Sequence, residues 1–167
     1  MKHLICLAQA HDAVVSVIQR VPDSALDWCP SENEFTPKRI IAHLAHSNDF
    51  YVMLVEEARG TNFSTVQLHQ ELPGWQRFMK TDTEAMQCSS TQSLLDCFER
   101  AYQNMLQTLH GLSNIELDQN FIVDEARYDR PAVETTLRKR VIDTCAEHMN
   151  EHREQLLNTL ALYERQL

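Results

Sequence analysis

Residues 137–160 read Leu137-Arg-Lys-Arg-Val-Ile-Asp-Thr-Cys145-Ala-Glu-His148-Met-Asn-Glu-His152-Arg-Glu-Gln155-Leu156-Leu-Asn-Thr-Leu160. Leu137, Val141, Cys145, His148, His152, Leu156 and Leu160 recur at three- and four-residue steps, the signature of one face of an α-helix. Two histidines within that stripe stand four residues apart. Side chains at i and i+4 share a helix face, roughly 5–6 Å apart at Cβ, so both imidazoles can reach one ion. A buried neutral imidazole needs partners for both ring nitrogens, and an unpaired one costs roughly 1–3 kcal/mol. Two on successive turns double that demand. A shared metal ion meets it, with the outer nitrogens left for carbonyls or carboxylates. The alternative is coincidence, since eight histidines in 167 residues will sometimes fall at this spacing.

The same periodicity predicts three further helices. The first spans residues 2–20, with Leu4, Leu7, Ala8, His11, Val15 and Ile18 inward and Val21-Pro22 as its stop. A second opens at Thr36-Pro37, an N-cap residue followed by a first-turn proline, and ends at Gly60. Its inward stripe is Ile40, His43, Leu44, Ser47, Tyr51, Leu54 and Ala58. A third, about 90–110, follows a capping-box pattern in Ser89-Ser-Thr-Gln92 and carries Leu94, Leu95, Phe98, Tyr102, Met105, Leu106 and Leu109. Pro131 marks the expected start of the fourth, which contains the opening stretch. In the residue 61–88 interval, Pro73-Gly74 marks a break and Trp75, Phe78 and Met79 suggest a short helical piece covering one end. In the second connector, Leu117 and Phe121 are the expected anchors. No alternating apolar–polar run demands a sheet. The expectation is an all-α four-helix bundle with long connectors, one domain over 1–167.

Bulk properties agree. Hydrophobic residues are 43% and charged residues 23%, and 3 glycines leave little material for the turns of an all-β fold. The net charge of −9 repels phosphate backbones and excludes nucleic acid as a partner class. No apolar run approaches the ~20 residues of a membrane span. The amphipathic N-terminal segment does not read as a signal peptide, so a cytoplasmic location is expected. Cys6, Cys29, Cys88, Cys97 and Cys145 are odd in number, widely spaced and without Cys-x-x-Cys, as expected of reduced thiols. Cys145 reads as a small core residue or, alternatively, a thiolate ligand.

His43, on the inward face of the second helix, is the candidate third ligand. His46 lies roughly 60° around that helix and is a fourth ligand, a hydrogen-bond partner or a rim residue, with the rim favoured. Glu151 reads as part of a solvated face or the rim of the site, and Gln155, three residues past His152, as a partner to a ligand. His3, His11, His69 and His110 read as ordinary residues. Met149 occupies the place of the glutamate in His-Glu-x-x-His, and Glu-x-x-His is absent from the sequence. Those facts exclude a zincin protease and a ferritin-like di-iron site.

The order Leu26-Asp-Trp28-x-Pro30, Phe35-Thr-Pro37, Ile40-Ile-Ala-His43-Leu-Ala and His148-x-x-x-His152-x-x-Gln155 resembles the DinB-like superfamily, which includes the bacillithiol and mycothiol transferases. The resemblance implies a four-helix bundle with a divalent metal, zinc or nickel, held by His43, His148 and His152 with water completing the shell. It also implies a homodimer. Members with known activity join a small thiol to an electrophile, so a metal-dependent thiol S-transferase of stress or detoxification is the leading expectation. The metal would hold a thiol as its nucleophilic thiolate. Lys38, Arg39, Arg127, Arg130, Arg138 and Arg153 are candidates to meet that thiol's carboxylates. The alternatives are a non-catalytic metal-binding stress-associated protein and a helical interaction module whose histidines bind nothing.

Overall fold

The computed structural model describes residues 4–32, 34–124 and 131–166. In chain order it contains α1 (Leu4–Ile18), a 3-10 turn (Asp23–Ala25), α2 (Pro37–Gly60), β1 (Thr65–Gln67) and α3 (Pro73–Met86). There follow α4 (Thr91–His110), α5 (Asn114–Asp118), β2 (Asn120–Asp124), β3 (Val133–Thr136), a π-helical segment (Arg138–Asp143) and α6 (Thr144–Glu164). The fold is mostly helical, as expected, with α1, α2, α4 and α6 as its long helices.

Helix α2 is central. It packs against α3, α4 and α6, while α1 packs on α6. Ile40, Ile41, Ala42, Leu44, Ala45, Tyr51, Val52, Met53, Leu54, Val55 and Ala58 are all buried, so its apolar surface runs around the whole helix rather than along the single stripe expected. Thr36 caps its start, Oγ1 accepting from the Arg39 amide at 3.1 Å. The N-cap of helix α4 lies one residue later than the expected Ser89. Ser90 is the N-cap, and its side chain and that of Ser93 satisfy each other's backbone amides. The inward face of α1 is Leu7, Ala10, His11, Val14, Val17 and Ile18, with Ala8 outside it.

Three expectations need correction. A small sheet, order β1-β2-β3, stands where two connectors and the start of the fourth helix were expected. β1 pairs in parallel with β2 (Val66↔Val123), and β3 antiparallel to it (Phe121↔Thr135). Val66, Phe121, Val123 and Thr135 form its buried face. Strands of three to five residues are too short to show a period. Pro131 precedes β3 instead of starting a helix, because the β-branched Val133, Thr135 and Thr136 fill strand positions beside β2. The segment at 73–86 is a full helix, antiparallel to α2 along its flank, and does not close an end of the bundle. Leu117 and Phe121 are buried anchors as expected.

The 19–36 connector clamps the C-terminal end of α6. Trp28 Nε1 donates to Gln166 Oε1 at 3.2 Å and its ring meets Tyr163 edge-on at 5.5 Å. Ser24 and Tyr163 hydroxyls lie 2.9 Å apart. Among the described residues no helix is long and apolar enough to cross a membrane.

Gly74 sets how closely α3 approaches α2. A Cβ there would lie 2.5 Å from Met53 Cγ and 2.6 Å from Met53 Cβ. Alanine would gain about 1 kcal/mol of helix propensity, but overpacking against the fully buried Met53 costs about 1–3 kcal/mol and wins. Gly74→Ala is expected to lower the urea midpoint and melting temperature. An unchanged or raised midpoint would show that the α2–α3 contact yields freely.

Candidate metal centre

Helix α2 carries His43 and His46, and α6 carries His148 and His152. The two helices bring three ring nitrogens to one point. His43 Nε2 lies 2.9 Å from His148 Nε2, and His148 Nε2 lies 3.1 Å from His152 Nε2. One nitrogen from each of the three rings falls within 4.8 Å of the other two. The rings meet edge to face, with centroids 4.5–4.9 Å apart. Metal–nitrogen bonds of ~2.0–2.1 Å in a tetrahedral shell put neighbouring nitrogens roughly 3.3 Å apart, so the observed separations are near ligand spacing.

The outer nitrogens settle the tautomers. Asp82 Oδ1 lies 2.8 Å from His46 Nδ1, and a carboxylate only accepts, so that nitrogen carries the proton. Neutral His46 then has a lone pair at Nε2, which lies 3.1 Å from His43 Nδ1. His43 Nδ1–H donates to it, leaving the His43 Nε2 lone pair facing the cluster. His152 Nδ1 stands 2.8 Å from Gln155 Oε1, and donation to that carbonyl oxygen likewise leaves His152 Nε2 a free lone pair. Arg39 Nη1 donates to Asp82 at 2.9 Å and completes the chain Arg39–Asp82–His46–His43. With lone pairs on its neighbours, His148 Nε2 cannot answer both by hydrogen bonding, because a ring nitrogen has one proton or one lone pair. A cation accepts all three at once. His148 Nδ1 is buried with no hydrogen-bond partner among the described residues.

The electrostatics favour neutral rings. Burial, followed by the neighbouring imidazoles, lowers the His43 pKa to about 3. Burial and then His152 lower that of His148 to about 4. Burial also lowers His46, against the opposing pull of Asp82.

The structure brings together His43, His148, His152 and Gln155 as the sequence suggests. It moves His46 from the expected rim to a buried position behind His43, 6% exposed, because α3 covers that side of α2 and Phe78 packs edge-on against its ring at 4.6 Å. Glu151 faces solvent. Cys145 is not beside the cluster. Its sulfur sits in the core 3.7 Å from Asn48 Oδ1 and 3.9 Å from Met105 Sδ, and burial pushes its thiol well above the usual range. His11 is a structural residue stacked on Tyr102 at 3.7 Å. Of the candidate cations, Lys38 pairs with Asp27, Arg39 with Asp82, Arg138 with Asp118 and Arg153 with Glu154. Arg127 and Arg130 lie outside the described residues. Asp82 is the residue that sequence reasoning missed. Its signal was its position four residues after Phe78, on the same face of a helix expected to be shorter.

The lowered pKa values carry a pH dependence. Between about pH 4 and 6.5 the unfolded chain protonates both histidines while the folded chain keeps them neutral. The unfolded state then binds more protons, so stability rises with pH across this window and falls on acidification. The chelator-treated protein is therefore expected to lose melting temperature from pH 7 to pH 4.5. The paired variant His43→Gln, His148→Gln should lose less. Equal slopes would remove these two histidines from the account.

Neither a curated protein nor a solved structure matches the chain significantly. The family model of the DinB superfamily matches residues 7–156, from the first helix through both histidines of α6. A helical bundle whose sequence follows that family over nearly all its length, with a three-histidine group that could hold a metal ion, belongs to the DinB superfamily.

Proposed function

We propose that His43, His148 and His152 hold a divalent cation, zinc or nickel, and that the protein is a metal-dependent S-transferase joining a low-molecular-weight thiol to a small electrophile. The observation that carries this reading is the convergence of three ring nitrogens, with the His152 tautomer set from outside by Gln155 and that of His43 by Asp82 through His46. The donor set fits a divalent cation with a position left for an exogenous ligand. With three uncharged donors, the cation's charge acts undiminished on what enters that position, which favours ionisation of a thiol near neutral pH.

The chain's own residues do the orienting. Gln155 and His46 hold protons at the Nδ1 atoms, so the Nε2 lone pairs cannot rotate away. Asp82, held by Arg39, keeps His46 in its accepting tautomer. Lowered pKa values keep His43 and His148 in the donor form well below neutrality. The family resemblance supports a homodimer acting in the cytoplasm, with a small thiol and an electrophile as its partners. The acidic net charge of −9 argues against nucleic acid. The competing reading is a metal-binding protein without turnover.

Plasma mass spectrometry of the purified protein is expected to find one equivalent of metal per chain. Saturation at ~100 times the dissociation constant should stabilise the fold by about 2.7 kcal/mol. His152→Ala should lose the metal and keep its helical spectrum, while Asp82→Asn should weaken affinity about 10- to 100-fold. Full stoichiometry in His152→Ala would overturn the ligand set.

Turnover is tested separately. The metal-loaded protein with monochlorobimane and a panel of biological thiols should exceed the uncatalysed rate with at least one thiol. Bound metal with no rate above background for any thiol would overturn the transferase reading and leave the non-catalytic one.

A further inference from the structure

Outside the histidine cluster, two sulfurs meet at the junction of α3 and α4. Cys88 follows the end of α3 and Cys97 lies in the second turn of α4, and their Sγ atoms are 3.9 Å apart. Both are free thiols. The turn between the helices returns the chain on itself, so nine residues of sequence separation become van der Waals contact between sulfurs. The remaining cysteines are placed differently: Cys6 is exposed on α1, Cys29 donates to the Ser31 and Glu34 carbonyls, and Cys145 is enclosed in the core.

From this geometry we infer that Cys88 and Cys97 form a redox-active dithiol that a hydroperoxide closes to a disulfide, fastening the end of α3 to α4. The two sulfurs have distinct environments. Cys88 is half-buried, its thiol pointing at the Glu84 carbonyl 3.4 Å away, and is the sulfur that a small oxidant reaches. Cys97 is buried at 7% exposure, with the Arg100 guanidinium 3.5 Å from its sulfur. Burial raises the Cys97 thiol pKa, and Arg100 opposes that rise. Cys88 is therefore the attacking thiolate and Cys97 the resolving one.

The chemistry balances. The Cys88 thiolate attacks the terminal oxygen of the hydroperoxide. The O–O bond breaks, an alcohol leaves with a proton, and Cys88 becomes a sulfenic acid. The Cys97 sulfur then attacks the Cys88 sulfur, the S–S bond forms and water departs. Two thiols lose two electrons and the hydroperoxide is reduced to an alcohol and water. A thiol reductant reverses the product by exchange. Because α3 also carries Phe78 and Asp82, the new bond would tether the helix that backs His46.

Mass spectrometry reads this directly in the full chain. Lys80 and Arg100 bracket both cysteines and no lysine or arginine lies between them, so trypsin releases Thr81–Arg100 as one peptide. After brief treatment with hydrogen peroxide and denaturing alkylation, the expected peptide is lighter by two hydrogens than its reduced form and refuses the alkylating reagent. Dithiothreitol should restore two reactive thiols. Cys97→Ser should instead leave a dimedone-trappable sulfenic acid at Cys88, and Cys88→Ser should leave Cys97 reduced. The proposal fails if both cysteines are still alkylated in the wild-type chain at a peroxide dose that oxidises the exposed Cys6. It also fails if Cys88 runs on to sulfinic acid without the intrapeptide bond forming. Neither result depends on whether the histidine cluster holds metal.

Discussion

Three imidazoles press against one another where α2 meets α6, and the surrounding structure is organised around that contact. His43 and His148, 105 residues apart in sequence, approach to 2.9 Å from two different helices. Two protonated rings could not stand so close in a partly buried site. Neutral rings can, but only if each lone pair and each proton finds a counterpart. The Nδ1 protons of His152 and His43 are answered by Gln155 on α6 and by His46 on α2, while His148 Nδ1 is buried with no partner among the described residues. Among the described residues the Nε2 atoms meet only one another, and a shared cation accepts all three lone pairs.

The support for His43 comes from a third helix. Asp82 reaches His46 only because α3 runs antiparallel along α2, and α3 lies that close because Gly74 offers no Cβ to Met53. A backbone requirement at one end of α3 is thus linked to the tautomer of a histidine near its middle. Arg39 adds a second tie at the surface, donating to the same carboxylate oxygen. The far end of α6 is held independently by Trp28 and Ser24 against Tyr163 and Gln166. These contacts tie Trp28, far from the histidines in sequence, to the end of the helix that bears two of them.

Much was legible beforehand. The stripes of α4 and α6 are as the residue spacing predicts, and His148, His152 and Gln155 were found by counting along one helix. Other features were hidden for identifiable reasons. His46 looked like a rim residue because a helix facing one partner has a rim, whereas α2 has partners on several sides. Asp82 lay in a stretch whose helix was expected to be shorter. The strands at 65–67, 120–124 and 133–136 are too short to show alternation, and their pairing is parallel on one side and antiparallel on the other. Cys88 and Cys97 lacked a recognisable motif, since their contact is made by a turn and not by a repeat.

By itself the sequence determined what depends on neighbours within about two helical turns: where helices run, which face is apolar, and that two histidines share one of those faces. Local hydrogen bonding and the 3.6-residue period are sufficient for that. The tertiary structure alone decided what depends on how helices are turned towards each other. It brought the face of α2 that bears His43 against α6, put His46 inside, supplied Asp82 from α3 and paired the two thiols. Rotation and separation of packed helices are set by the fit of side chains from distant segments, which no local pattern records.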